Sequence, residues 1–166
     1  TQGVILKLSN GEPIDLANIS SDSIDRLTQG KAVKTADQLH YNLSQIKPQS
    51  SLAQQPEVFN SLYTPAGKTF LLVLADGSKV WLNSKSMLRF PVNFVGPQRR
   101  VQLIGEGYFE VVGNADRPFI VESKGQEVEV LGTKFNIDAY SDATLTKSTL
   151  FEGKVSVTNL RTHQSM

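Results

Sequence analysis

Glu106 and Glu110 form the first pair in the chain that could share an acid–base task. On a strand they occupy one face, but four residues at ~3.3 Å each set them ~13 Å apart. Paired carboxylates in glycoside hydrolysis work at roughly 5–9.5 Å, so a surface pair is the expectation. Gly105-x-Gly107 opens like a dinucleotide fingerprint. Glu110 stands where the third glycine belongs, and a strand pattern follows instead of a helix, so no helix N-terminus is offered to a pyrophosphate. His40 and His163 are the only histidines, and cysteine is absent. That composition removes thiolate catalysis, disulfides and Cys-ligated zinc, and two scattered histidines do not make a ligand set. A serine nucleophile would lack the Gly-x-Ser-x-Gly context and a placed base. Arg99-Arg100 could grip a phosphate or an acidic partner, with a solvated strand edge as the plainer reading. Trp81 and Tyr108 could present a stacking platform to a sugar ring or a protein, although core packing is the expected fate of both. Catalytic, cofactor and metal residues are therefore all read as none, and the chain as a non-enzyme.

The bulk properties agree with that reading. Of 166 residues, 39% are hydrophobic and 20% charged, and the net charge is +1. The length suits one domain of about 150 residues, with a core large enough to need no staples. A near-neutral balance argues against a dedicated nucleic-acid binder. The longest apolar run, Phe70 to Ala75, is far short of the ~20 residues of a spanning helix. Thr1 opens no signal peptide, and the chain reads as a piece excised from a longer protein.

The elements that must position these residues are short strands. Val4–Leu8, Ile14–Leu16, Thr69–Leu74 and Val80–Leu82 flank Asn10-Gly11 and Asp76-Gly77, which predict hairpins with type I′ turns. Met87–Phe90, Arg100–Ile104, Tyr108–Val112, Phe119–Glu122, Gln126–Leu131, Lys134–Ala139, Leu145–Leu150 and Lys154–Thr158 follow, separated by Gly, Asn, Asp and Ser. Strands at this spacing predict an all-β fold: a sandwich, or a jelly-roll or β-roll-like wrap of mostly antiparallel strands. One short helix near residues 22–29 is predicted, capped by Ser21 or Asp22 and ended by Gly30. Pro48 to Pro56 reads as a surface connection. Residues 1–57 are expected to be a hairpin segment of the same domain, and residues 58–166 its main body.

Five spaced elements carry a resemblance. Leu74-Ala-Asp76-Gly77-Ser-Lys-Val80-Trp81-Leu82-Asn83 is the first, and Arg99-Arg-Val101-Gln-Leu103-Ile-Gly105-Glu106-Gly107-Tyr108-Phe109-Glu-Val111 the second. Arg117-Pro118-Phe119-Ile-Val121, Val128-Glu-Val130-Leu131-Gly132-Thr133-Lys-Phe135-Asn-Ile137 and Leu150-Phe-Glu152-Gly153-Lys-Val155-Ser-Val157 complete the series. In order and content they resemble the FecR-type anti-sigma regulators over about residues 60–158, with Gly107 where alanine is usual. The Lys34-Thr-Ala-Asp37 stretch resembles variants of that family found in outer-membrane nutrient systems.

The resemblance implies a periplasmic sensor domain of a single-pass inner-membrane protein. Its partners would be the periplasmic signalling domain of a TonB-dependent outer-membrane receptor and, through a cytoplasmic segment absent here, an ECF sigma factor. The membrane helix is likewise absent here. No cofactor or nucleic acid is implied, and a carbohydrate-binding β-sandwich is the alternative. Most motif residues have structural roles in this reading. Asp76 and Gly77 turn a hairpin, and Gly105, Gly107, Gly132 and Gly153 turn corners. Val80, Leu82, Phe109, Val111, Phe119, Phe135, Ile137, Val155 and Val157 fill a core. Trp81, Glu106, Pro118, Thr133 and Glu152 complete the motif, with Trp81 and Tyr108 as the binding platform.

Overall fold

The computed structural model describes residues 2–41, 56–140, 142 and 144–166. The expected connection from Pro48 lies outside the described residues until Pro56. Among the described residues the chain forms fifteen strands and one helix. In order these are β1 (Ile5–Lys7), β2 (Pro13–Asp15), α1 (Ser21–Leu27), β3 (Ala32–Lys34), β4 (Gln38–Tyr41), β5 (Phe59–Thr64), β6 (Phe70–Val73) and β7 (Lys79–Leu82). Then come β8 (Ser86–Pro91), β9 (Arg99–Glu110), β10 (Phe119–Ser123), β11 (Gln126–Val130), β12 (Lys134–Ala139), β13 (Lys147–Glu152), β14 (Val155–Asn159) and β15 (Gln164–Ser165). No described helix is long and apolar enough to cross a membrane.

Two sheets share one strand. Sheet A runs β2-β1-β5-β8-β9-β10-β11-β14-β15, and sheet B runs β3-β4-β6-β7-β9-β12-β13. Among the described residues only the β9–β10 and β4–β6 pairs are parallel. The all-β, mostly antiparallel expectation therefore holds. The single helix also holds, with one shift: its cap is Ser20, whose hydroxyl accepts from the Ser23 N–H at 3.2 Å. Ile24 alone anchors it in the core, while Leu27 stays 49% exposed.

The Gly105-Glu106-Gly107 stretch departs from the two strands expected around it. Arg99 to Glu110 is one continuous strand. Its first half pairs with β8 and β10 in sheet A, and its second half with β7 and β12 in sheet B. The change of sheet falls at Gly105, at φ +90°. A Cβ there would lie 2.9 Å from the Ser86 Cα, so both torsion and space demand glycine. Gly107, by contrast, lies inside the strand with ordinary φ and turns no corner.

The Asp76-Gly77 turn also differs from expectation. Only Gly77 has positive φ, +86°, and its N–H donates to the Leu74 carbonyl at 2.9 Å. This is a type I turn followed by a left-handed glycine, the three-residue hairpin loop, rather than type I′. Asp76 stabilises it by accepting from the Ser78 N–H at 2.9 Å and from its hydroxyl at 2.8 Å. Asn10-Gly11 behaves alike, with Gly11 at φ +90° and its N–H on the Leu8 carbonyl.

The core sits between the sheets. Phe109 and Phe135 stack at 5.0 Å within sheet B, and Phe109 meets Phe119 of sheet A edge-on at 6.4 Å. Tyr41 of sheet B meets Phe90 of sheet A at 5.2 Å. Each buried phenyl contributes on the order of 2–3 kcal/mol of transfer free energy. Val80, Leu82, Phe109, Val111, Phe119, Phe135 and Ile137 are buried as expected, whereas Val155 and Val157 only flank the core. Val4, Leu6, Leu16, Ile24 and Leu39 join the same cluster, and β1 pairs directly with β5.

Candidate functional site

Motif residues collect in three places. The first is internal. Arg99, 2% exposed, donates from Nη1 to the Asp76 carboxylate and to the Val112 carbonyl, both at 2.8 Å, and from Nε to the Arg117 carbonyl at 2.8 Å. The solvated edge expected of Arg99-Arg100 is therefore half wrong. Arg99 is the internal clamp between the Asp76 turn, the end of β9 and the entry to β10, because its planar fork can satisfy several acceptors at once. Arg100 points outward from sheet A and pairs with Glu127 at 3.1 Å and Glu122 at 3.6 Å.

The second place is the outer face of sheet B. Glu106 accepts from the amides of Asn83 at 2.7 Å and Asn136 at 2.9 Å, one on each carboxylate oxygen. Three motif segments on β7, β9 and β12 are thus tied by one side chain. Asn83 just beyond β7 and Asn136 inside β12 carry no shared sequence signal, so their common partner was not foreseen. Glu110 receives a long hydrogen bond from the Tyr108 hydroxyl, 3.4 Å. Partial burial, reinforced by the Glu110 charge, raises the Tyr108 phenol above its ordinary value. His40 lies on β4, with β6 and β7 between it and β9, and three strand spacings of about 4.8 Å put it ~14 Å away. Glu106, Glu110 and His40 therefore do not converge.

Trp81 and Tyr108 stand opposite one another on β7 and β9 of this same face. Their rings are 5.5 Å apart and tilted by 48°. Phe151 meets Tyr108 edge-on at 5.6 Å and is 63% exposed. Core packing, the expected fate of Trp81 and Tyr108, is overturned. The inward places on both strands go to Val80, Leu82 and Phe109, so alternation turns these rings outward, where they are half-buried. The tilt breaks the coplanar platform that a sugar ring stacks on.

The third place is an open cleft of about 400 Å³ where Gly77, Gly132, Thr133 and Glu152 come together from separate motifs. Gly132 is required by close approach, since a Cβ there would sit 2.6 Å from the Gly113 Cα. It is this contact, not a corner, that Gly132 serves, while Gly153 does turn one, at φ +92°. Thr133 is buried and donates to the Lys154 carbonyl at 3.0 Å. Glu152 pairs with Lys134 at 2.8 Å, which lowers the carboxyl and raises the ammonium relative to their ordinary values. Pro118 supplies the carbonyl that accepts from the Arg99 N–H. No group of three His, Cys, Asp or Glu among the described residues could hold a metal.

Nothing among curated proteins matches the chain. Two crystal structures of a candidate anti-sigma factor from Parabacteroides distasonis are similar. One is 27% identical with a TM-score of 0.58, covering 65% of this chain and 58% of that one. The other is 27% identical with a TM-score of 0.57, covering 64% and 57%. This chain thus spans under two thirds of the length of those relatives. The family described as FecR protein matches residues 60–156, which run from β5 through β14 and include all three places. With more than half of its length matched on this shared-strand frame, the chain belongs to the FecR protein family.

Proposed function

We propose that this chain is the periplasmic sensor domain of an anti-sigma regulator. In this reading it is a non-enzymatic module of a single-pass inner-membrane protein. It takes a signal from the periplasmic signalling domain of a TonB-dependent outer-membrane receptor and passes it to an ECF sigma factor held by a cytoplasmic segment. The family match over residues 60–156 carries the reading. The similarity to a candidate anti-sigma factor adds to it. The chemistry of the surface is compatible: motif carboxylates are spent on amides and lysine, and the half-exposed Trp81–Tyr108 pair is suited to a polypeptide contact. Calorimetric titration of the receptor's signalling segment into this chain is the test. Saturable binding supports the reading, and absence of heat with both this chain and the full periplasmic region overturns it.

A further inference from the structure

Among the described residues the two sheets leave four edge strands, and three of them are blunted. β2 has three residues and starts with Pro13, which has no N–H to offer. β3 also has three residues and lies against α1. β15 has two. β13 is different: six residues without proline, paired only with β12 among the described residues, and exposed at nearly every position. A register shift opposite Lys134 and Phe135 leaves Phe151 as an extra residue, so the bulge lies near the strand's end and Lys147 to Leu150 stay regular. Leu150 is 42% and Phe151 63% exposed, an uncommon load of apolar surface for an unpaired edge.

The side chains select the occupant. β13 reads Lys-Ser-Thr-Leu-Phe-Glu, with Lys147 at one end and at the other Glu152, whose exposed carboxylate meets Lys134 through Oε2 at 2.8 Å and keeps its second oxygen for another lysine. A strand complementary to it would carry the same pattern in the opposite direction, and a second copy of β13 does. Joining two copies into one continuous sheet requires like faces to stay together, so the two-fold axis must pass at a residue, Thr149 or Leu150. In either register Lys147 of one copy comes within one position of Glu152 of the other, and it does so twice. Parallel pairing would set like charges together. We infer that β13 is a self-pairing edge through which two copies of this chain associate antiparallel, extending sheet B across the dimer.

Sedimentation equilibrium from about 1 μM to about 1 mM, the range of weak self-association, tests this. The wild-type chain is expected to dimerise. Lys147→Glu and Glu152→Lys should each weaken dimerisation about tenfold by placing like charges in contact at both ends. An equimolar mixture of the two variants should recover it as a heterodimer, because each new charge then meets its opposite. Circular dichroism melts of the variants keep misfolding separate from lost association. A wild-type chain that stays monomeric throughout overturns the inference. So does a dimer indifferent to both charge reversals, or variants whose mixture fails to associate. If β13 amides become protected from exchange only when a receptor signalling segment is added, the edge belongs to that partner instead.

Discussion

The Asp76–Arg99 clamp and the Trp81–Tyr108–Phe151 ridge are built from the same motif segments and have opposite fates. At the clamp, charged groups are held inside, with Arg99 bonded through Nη1 and Nε to a carboxylate and two carbonyls while its buried Nη2 has no partner. At the ridge, large rings stand half or mostly in water although apolar places are available one residue away on each strand. The contrast separates two uses of a motif. The clamp joins three segments distant in sequence, so it serves the frame. The ridge joins side chains on β7, β9 and β13, strands already held together through β12, so the frame does not need it.

If that division holds, the largest loss follows from Asp76→Ala. Removing one partner strands the other's charge in the interior, and a destabilisation of about 3–5 kcal/mol in urea melts is expected. The double change Asp76→Leu with Arg99→Met should recover part of it, because no bare charge then remains. Phe109→Ala, at the stacked centre of the core, should cost a comparable ~3–5 kcal/mol.

Tyr41 is the next largest effect, and it depends on pH. Burial pushes its phenol up to about 12 from 10, only partly offset by the hydrogen bond from Asn60. Between those values the unfolded chain has released the proton and the folded chain still holds it. Stability contributed by the neutral phenol is therefore intact below pH 10 and is lost as pH rises toward 12, by up to about 3 kcal/mol. Melts across that interval should fall more steeply for the wild type than for Tyr41→Phe.

Gly77→Val should cost about 1–3 kcal/mol, since it places a branched residue at φ +86°. At the ridge the numbers should shrink. Trp81→Ala is expected to cost about 1 kcal/mol, the scale of a tilted ring contact with modest burial. A loss as large as that of Asp76→Ala would erase the distinction between clamp and ridge.

How far the chain could be read in advance follows the same line. Asp76-Gly77, Asn10-Gly11 and the alternation through Val80-Trp81-Leu82 and Tyr108-Phe109 state local geometry, so hairpins, strands and core residues were legible. The turn type was not. Asp76 reaches Ser78 through its own carboxylate, and that bond favours the type I geometry over the type I′ one. β3, β4 and β5 were missed because pairing partners make them strands; Ala32–Lys34 and Gln38–Tyr41 are three and four residues long, too short for alternation to stand out. Gly105 read as a break because its signal is glycine alone. That β9 continues through it into a second sheet depends on Ser86, a neighbour brought by the fold. Arg99 was misread for the same reason: its acceptors are 13 to 23 residues away.

The most direct check of the proposed relay is a sigma-dependent reporter in cells carrying the full-length regulator with Trp81→Ala, after receptor stimulation by its nutrient. The account predicts that the protein accumulates normally while induced transcription drops at least several-fold. An undiminished response from that variant, with wild-type protein levels, would contradict it.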